Sequence, residues 1–216
     1  MPSNTVTQLN YTASTRKSRF VLSRLHSLAG LLPLGIFMVE HLLSNALAIF
    51  GAERYNEHIA MLQAIPFLPL FEITLIAIPL LFHAIYGIYL SFISKPNANV
   101  YKYQRNIYFM LQRVTGIITL IFVIYHVWSF RLGPLLSGTE VSHSLVSEHL
   151  ANPFIFVFYI TGVISAIFHF SNGITTGLIT WGITAGPASQ RVARKICTGV
   201  FVILAGMAVV SLFSFL

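Results

Sequence analysis

Five apolar runs dominate this sequence, and each is long enough to cross a lipid bilayer as one helix. The hydrocarbon core is about 30 Å thick, so a crossing takes roughly 20 helical residues at about 1.5 Å each. The runs cover 22–50, 68–94, 108–131, 153–181 and 192–215, here called spans I to V. Between them lie breaks with turn-forming punctuation: "GAERYNEHIA" with Pro66 and Pro69, "SKPNANVYKYQRN", "RLGPLLSGTEVSHSLVSEHLANP" and "TAGPASQRVARK". Pro79 falls inside span II, where a kink is tolerated if neighbouring helices re-satisfy the freed carbonyl. With 56% hydrophobic and 9% charged residues and no aspartate, the chain lacks the polar groups to cover a soluble surface. The expectation is an all-α integral membrane protein, a single domain over 1–216 with a polar N-terminal segment 1–20 and no soluble catalytic domain.

Lysine and arginine set the orientation. Arg16, Lys17, Arg19 and Arg24 precede span I, Lys95, Lys102, Arg105 and Arg113 lie between II and III, and Arg191, Arg194 and Lys195 lie between IV and V. Only Arg54 and Arg131 of the thirteen are left for the other side, so the N-terminus is expected to be cytoplasmic. The net charge of +7 is then a topology signal, and no nucleic-acid partner is expected. Segment 1–20 has no short apolar core or small-residue cleavage site, so no signal peptide is expected.

Metal chemistry in this chain cannot rest on sulfur. Cys197 is the single cysteine, which excludes an internal disulfide, an iron–sulfur cluster and a C-x-x-C-H haem attachment. Eight histidines remain. His58, His143 and His149 fall in outer loops and read as solvated side chains, and His26 lies near the cytoplasmic start of span I. His41, His83, His126 and His169 sit one each on spans I, II, III and IV. One ionisable group in a membrane helix can be a packing contact, but four on four successive helices point to function.

Depth sorts these four into pairs. His41 is seventeen residues beyond Arg24, about 26 Å of rise from the inner edge, and His126 is thirteen beyond Arg113, about 20 Å. His83 and His169, on helices running the other way, each lie twelve residues before an inner-edge marker (Lys95 and Trp181), about 18 Å up from the inside. An outer pair and an inner pair follow. His83 and His169 are each followed four residues later by glycine, Gly87 and Gly173, on the same helix face. Gly30 and Gly116 precede His41 and His126 by eleven and ten residues. Small residues suit a flat macrocycle lying between helices, as they suit ordinary close helix packing.

Two histidines facing each other across a bundle can fill both axial positions of one haem iron, leaving no site for oxygen, so such a haem passes electrons. Two pairs at different depths make an electron path through the bilayer. Arg24, His26, Ser27 and Arg113 at the inner edge are candidates to hold the inner haem's propionates, and Ser171 and Asn172 to support His169 or helix contacts.

The strings "RLHSLAG", "FHAIYGIY", "LQRVTGIITLIFVIYHVW", "FHFSNG" and "TWGIT" resemble the single-chain, five-helix, two-haem cytochrome b subunit of bacterial succinate dehydrogenases and fumarate reductases, over about Arg24 to Arg191. The resemblance implies a di-haem four-helix bundle of spans I to IV with span V alongside, two haem b, and a bacterial cytoplasmic membrane location. It implies a flavoprotein and an iron–sulfur subunit as partners on the cytoplasmic face, with the succinate chemistry in those partners, as in respiratory complex II. It makes His83 and His169 ligands of the inner, higher-potential haem and His41 and His126 those of the outer, lower-potential one. It also implies exchange with a membrane quinone, menaquinone ahead of ubiquinone, near the outer haem. Glu72, just inside the outer end of span II, is the first candidate for the acidic group of that site, with Glu40 behind it because it is rotated about 100° from His41. Its bland alternative is a hydrated carboxylate at a helix start. Two rivals stay open: the cytochrome b anchor of a hydrogenase or formate dehydrogenase, and a proton or metal transporter built on a histidine relay.

Overall fold

The computed structural model describes residues 3–94 and 100–216, with side chains from residue 17 onward. Lys95, used above as an inner-edge marker, lies outside the described residues, as does the side chain of Arg16. Five helices are long and apolar enough to cross a membrane: Lys17–Phe50, Leu68–Ile93, Gln104–Ser137, Pro153–Thr180 and Pro187–Phe213. They match spans I to V. The chain is an all-helical integral membrane protein.

Three of the spans are interrupted where proline breaks the α ladder. Span I is α1 (Ser3–Leu31) followed by α2 (Pro33–Ala46) and a tight 3-10 turn at Leu47–Phe50. Helix α1 begins at Ser3, so most of the polar segment 1–20 is continuous with the span. Leu32 N–H still donates to the Leu28 carbonyl at 2.9 Å, and Ile36 N–H to that of Leu32 at 2.9 Å, so Pro33 kinks the helix without severing it. After α3 (Ala52–Gln63), span II runs through α4 (Leu68–Phe71), a π-helical segment Glu72–Ala77 and α5 (Ile78–Ile93). Span III is α6 (Gln104–Val127), a second π segment Trp128–Leu132 and α7 (Gly133–Ser137), so it reaches six residues beyond its sequence-based end. Each π segment ends just before a proline, Pro79 or Pro134. A proline lacks the N–H and its ring presses on the carbonyl four residues back, and the wider turn accommodates both.

Span IV, α9 (Pro153–Thr180), is the centre of the bundle, packing against α6, α1 and span V, which is α10 (Pro187–Phe213). Its buried residues are mostly small or polar: Gly162, Ser165, Ser171, Asn172, Thr175 and Gly177. That composition lets backbones approach in lipid, where apolar burial drives no association. A Cβ on Gly162 would lie 2.3 Å from Phe122 of span III, and one on Gly177 2.5 Å from Leu31 of span I. Span II packs mainly on α1, and none of its residues is fully buried. Span V closes the bundle against IV and α2, and Ser211 Oγ donates to the Asn45 carbonyl at 2.7 Å.

The outer connections contain helices that the loop-like sequence does not announce, α3 and α8 (His143–Leu150). Ser142 caps α8 by accepting from Leu145 N–H at 3.3 Å, and Asn56 Oδ1 accepts from His143 N–H at 2.8 Å, tying α8 to α3. Together they bury Tyr55, Val146 and Leu150 with Ala48, Phe122, Tyr159 and Phe215 in one cluster.

The closest III–IV approach yields a prediction. Gly162→Ala places its methyl inside the Phe122 ring, and such overpacking costs about 1–3 kcal/mol. The expected result is a lower thermal midpoint for the detergent-solubilised chain, with helix content by circular dichroism unchanged below the transition.

Candidate functional site

The four in-span histidines meet as two pairs. The His83 and His169 rings are 6.1 Å apart between centroids at an interplanar angle of 90°, and those of His41 and His126 are 5.5 Å apart at 80°. Each pair joins one span of I–II to one of III–IV.

Hydrogen bonding settles the tautomer of the inner rings. His83 Nδ1 lies 3.0 Å from the His26 carbonyl, and His169 Nδ1 2.9 Å from the Gln112 carbonyl. A carbonyl can only accept, so the proton sits on Nδ1 in both rings and the Nε2 lone pair faces outward as a potential ligand. In the outer pair, Asn45 Nδ2 approaches His41 Nε2 at 3.4 Å, and His126 Nδ1 is buried without a hydrogen-bond partner among the described residues.

Glycines set how closely these rings lie against the opposite helix. A Cβ on Gly30 would stand 2.5 Å from His83 Cε1, and one on Gly116 2.8 Å from His169 Cε1. Both glycines are therefore level with the inner pair. The outer histidines stand eleven and ten residues further along the same helices, which separates the two levels by about 15 Å of rise. A Cβ on Gly87 would meet His26 Nε2 at 3.1 Å, and one on Gly173 would meet Gln112 Nε2 at an ordinary 3.6 Å.

These contacts expose an internal repeat that the sequence contains but the motif reading passed over. His26, Gly30, His83 and Gly87 recur as Gln112, Gly116, His169 and Gly173, each at an offset of 86 residues. The outer histidines, 41 and 126, are offset by 85, so the extra residue of span I lies between Gly30 and His41, the stretch that contains Pro33. Gln112 is the member the sequence reading missed. Its Nε2 donates to the His169 carbonyl at 2.9 Å, and its Oε1 accepts from Asn172 Nδ2 at 2.6 Å. Comparing the chain with itself at this offset would have found it.

The inner-edge candidates surround the inner pair. The His26 ring stacks on His83 at 4.1 Å and 7°, with its Nε2 buried and unpartnered among the described residues. The Arg113 guanidinium lies 3.5 Å over the Phe109 ring and donates to the Phe109 carbonyl at 3.1 Å, while its Nε is buried and unpartnered among the described residues. Arg24 sits over the Phe20 and Trp181 rings at 4.7 and 5.5 Å. Ser27 Oγ lies 3.4 Å from where a Gly177 Cβ would stand, and Ser171 Oγ is buried and unpartnered among the described residues.

At the outer end Glu72 pairs with Arg131, whose Nε donates to Glu72 Oε2 at 3.1 Å and whose Nη2 donates to the same oxygen. Glu40 is exposed, and Ser44 Oγ donates to it at 2.5 Å. The hydroxyl proton is then committed, so His58 Nε2, 2.8 Å away, donates to Ser44. The outer-loop histidines expected to be solvated are half-buried instead. His143 packs on Tyr55 and Phe215, and His149 on Tyr125, Phe130 and Tyr159, because α3 and α8 fold over the bundle end.

A family model described as "Succinate dehydrogenase/Fumarate reductase transmembrane subunit" matches residues 94–213. The curated succinate dehydrogenase cytochrome b558 subunit of Bacillus subtilis (strain 168) is 45% identical over 196 residues, covering 91% of this chain and 96% of the relative. The chain belongs to the succinate dehydrogenase/fumarate reductase transmembrane subunit family. It is the membrane anchor of such a complex and not its catalytic subunit, which sets aside the hydrogenase-type anchor and the transporter.

Burial holds the His149 imidazole below its ordinary 6.5. The unfolded chain therefore takes up the proton first, so the contribution of His149 to stability is complete above that value and is lost as pH falls below it. Thermal midpoints measured from roughly pH 7 to pH 5 should fall less steeply in His149→Gln than in the parent chain.

Proposed function

We propose that this chain passes electrons through two haem b groups, between iron–sulfur and flavoprotein subunits docked on its cytoplasmic face and a quinone in a bacterial cytoplasmic membrane. Menaquinone is placed ahead of ubiquinone. The observation that carries this reading is the meeting of four in-span histidines as two pairs at two levels, each pair shared between the halves of the bundle.

The residues fit such a group. Among the described residues no three His, Cys, Asp or Glu side chains converge on a bare metal ion. Pairs are what a macrocycle-bound metal needs, since the ring supplies its other ligands. Imidazoles sharing one metal through bonds of about 2 Å have ring centres roughly 6 Å apart, close to the 6.1 and 5.5 Å between these rings. The buried, unpartnered His26 Nε2 and Arg113 Nε are donors available to an anionic substituent.

Each residue then has a task. His83 and His169 hold the inner haem and His41 and His126 the outer one. The His26 and Gln112 carbonyls fix the inner rings' protons on Nδ1 and raise the basicity of Nε2. Gly30 and Gly116 let those rings lie against the facing helix, and Gly87 and Gly173 keep the next turn small. Arg24, His26, Ser27 and Arg113 answer the inner propionates. Haem held by two imidazoles supplies one-electron transfer with no open coordination site. Glu72 is the acidic group that serves quinone at the outer end.

Pyridine haemochrome analysis of the purified chain should give two b haems per polypeptide. His83→Ala and His169→Ala should each remove the same one in a redox titration, and loss of different haems would refute the pairing. Gly116→Ala should perturb that haem, while Gly173→Ala, with ordinary clearance, should leave it in place.

A further inference from the structure

Spans I and II leave a groove between them at the end of the bundle that carries most of the lysines and arginines. Its volume of about 570 Å3 falls within the range of small-ligand sites, about 300–1,000 Å3. Arg19 lies in its wall at the polar end. Leu22 follows one turn deeper on span I, and Ile85 and Phe82 lead toward the bilayer centre on span II, which runs the other way.

An aromatic strip forms the floor. Phe82, Tyr86 and Tyr89 fall on one face of α5, with the Tyr86 ring centroid 6.0 Å from that of Phe82 and 5.6 Å from that of Tyr89. The Tyr86 hydroxyl donates to the Arg19 carbonyl at 3.4 Å and lies 3.3 Å from Ser23 Oγ, which ties the floor across to span I. Span II packs mainly on α1 and has no buried residue, and Ile85 is 66% exposed, so the groove opens sideways to the bilayer.

Depth puts the cation in the head-group layer. Arg19 stands eleven residues before Gly30, about 16 Å of rise below the inner histidine level, which is itself about 18 Å from the membrane edge. Nothing in the chain answers charge at this end. All six acidic residues, Glu40, Glu53, Glu57, Glu72, Glu140 and Glu148, belong to the outer end, and the ion pairs among the described residues join Arg54 to Glu57 and Arg131 to Glu72. A soluble protein partner can meet Arg19 but cannot follow Leu22, Ile85 and Phe82 into the hydrocarbon layer. An anion with a hydrocarbon tail does both.

We propose that this groove holds an anionic phospholipid, its phosphate accepting from the Arg19 guanidinium and one acyl chain lying along Leu22, Ile85 and Phe82. The lipid bridges spans I and II on their open side. Tyr86 carries that support to the inner site, since its ring lies 5.7 Å from that of His26, which stacks on His83.

Native mass spectrometry of the full, haem-loaded chain, offered phosphatidylglycerol or phosphatidylcholine with the same acyl chains, tests this. The parent chain should retain one phosphatidylglycerol about fivefold more tightly than phosphatidylcholine, the scale of one cation acting on an anionic head group. Arg19→Gln should abolish that preference and leave phosphatidylcholine retention as it was. Ile85→Trp, at a lipid-facing position, should fill the groove and lower retention of both. Equal retention of the two lipids by the parent overturns the anion site, and a preference that survives Arg19→Gln overturns the arginine contact. Unchanged retention in Ile85→Trp overturns the groove. Glycerol phosphate competing as well as the whole lipid would make this a phosphate site and overturn the role of the acyl chain. In the assembled complex the lipid should stay bound, and its displacement by the partner subunits would give Arg19 to their interface instead.

Discussion

A neutral imidazole carries one N–H and one lone pair, and inside a hydrocarbon layer each needs a partner or costs several kcal/mol. In the inner pair the N–H is answered by a backbone carbonyl on the adjacent span, which has a second lone pair beyond the one used by its own helix. The bond is short only if the ring lies flat against that helix, and a side chain larger than hydrogen at position 30 or 116 would stand where the ring must be. The spacing of I against II and of III against IV therefore follows from where two protons are placed. With Nδ1 committed, the remaining lone pair of each ring is directed to the space between the halves, where the two rings meet at right angles.

The repeat makes the inner site symmetric in its backbone but not in its side chains. At the position whose carbonyl receives the Nδ1 proton, the first half has His26, whose ring stacks on His83, and the second has Gln112, whose amide joins the His169 carbonyl to Asn172. His169, on the central span IV, thus sits beside a polar network with Gln112 and Asn172, and His83, on span II, beside the stacked ring of His26 on α1.

The spans, their number and the pairing of histidines by depth were legible because hydrophobic length and in-span ionisable residues are strong signals. Span ends were less so. Span III continues through Arg131 to Ser137 because a π turn absorbs Pro134, which sequence reading takes as a stop. Helices α3 and α8 were hidden by their polar composition, since they gain stability from Tyr55, Val146 and Leu150 meeting residues far away in sequence. The same docking half-buries His143 and His149, which local sequence marks as solvated. The Glu72–Arg131 pair was invisible for a related reason, being defined by a contact about sixty residues away that no local pattern encodes, and Gln112 shows only in the long-range repeat.

The prolines that interrupt spans II and III also determine what the outer end can do. A π turn accommodates one more residue than the α ladder around it, which rotates the flanking side chains by about 100° relative to an uninterrupted helix. Two such turns lie at the same end of neighbouring spans, and Glu72 and Arg131 are among their residues. A carboxylate and a guanidinium on unbroken helices at this depth would each have to snorkel to water alone. Turned toward one another they neutralise their charges at the membrane edge, and the wide backbone turns that bring them together leave room beside them for a cavity between the two outer connections.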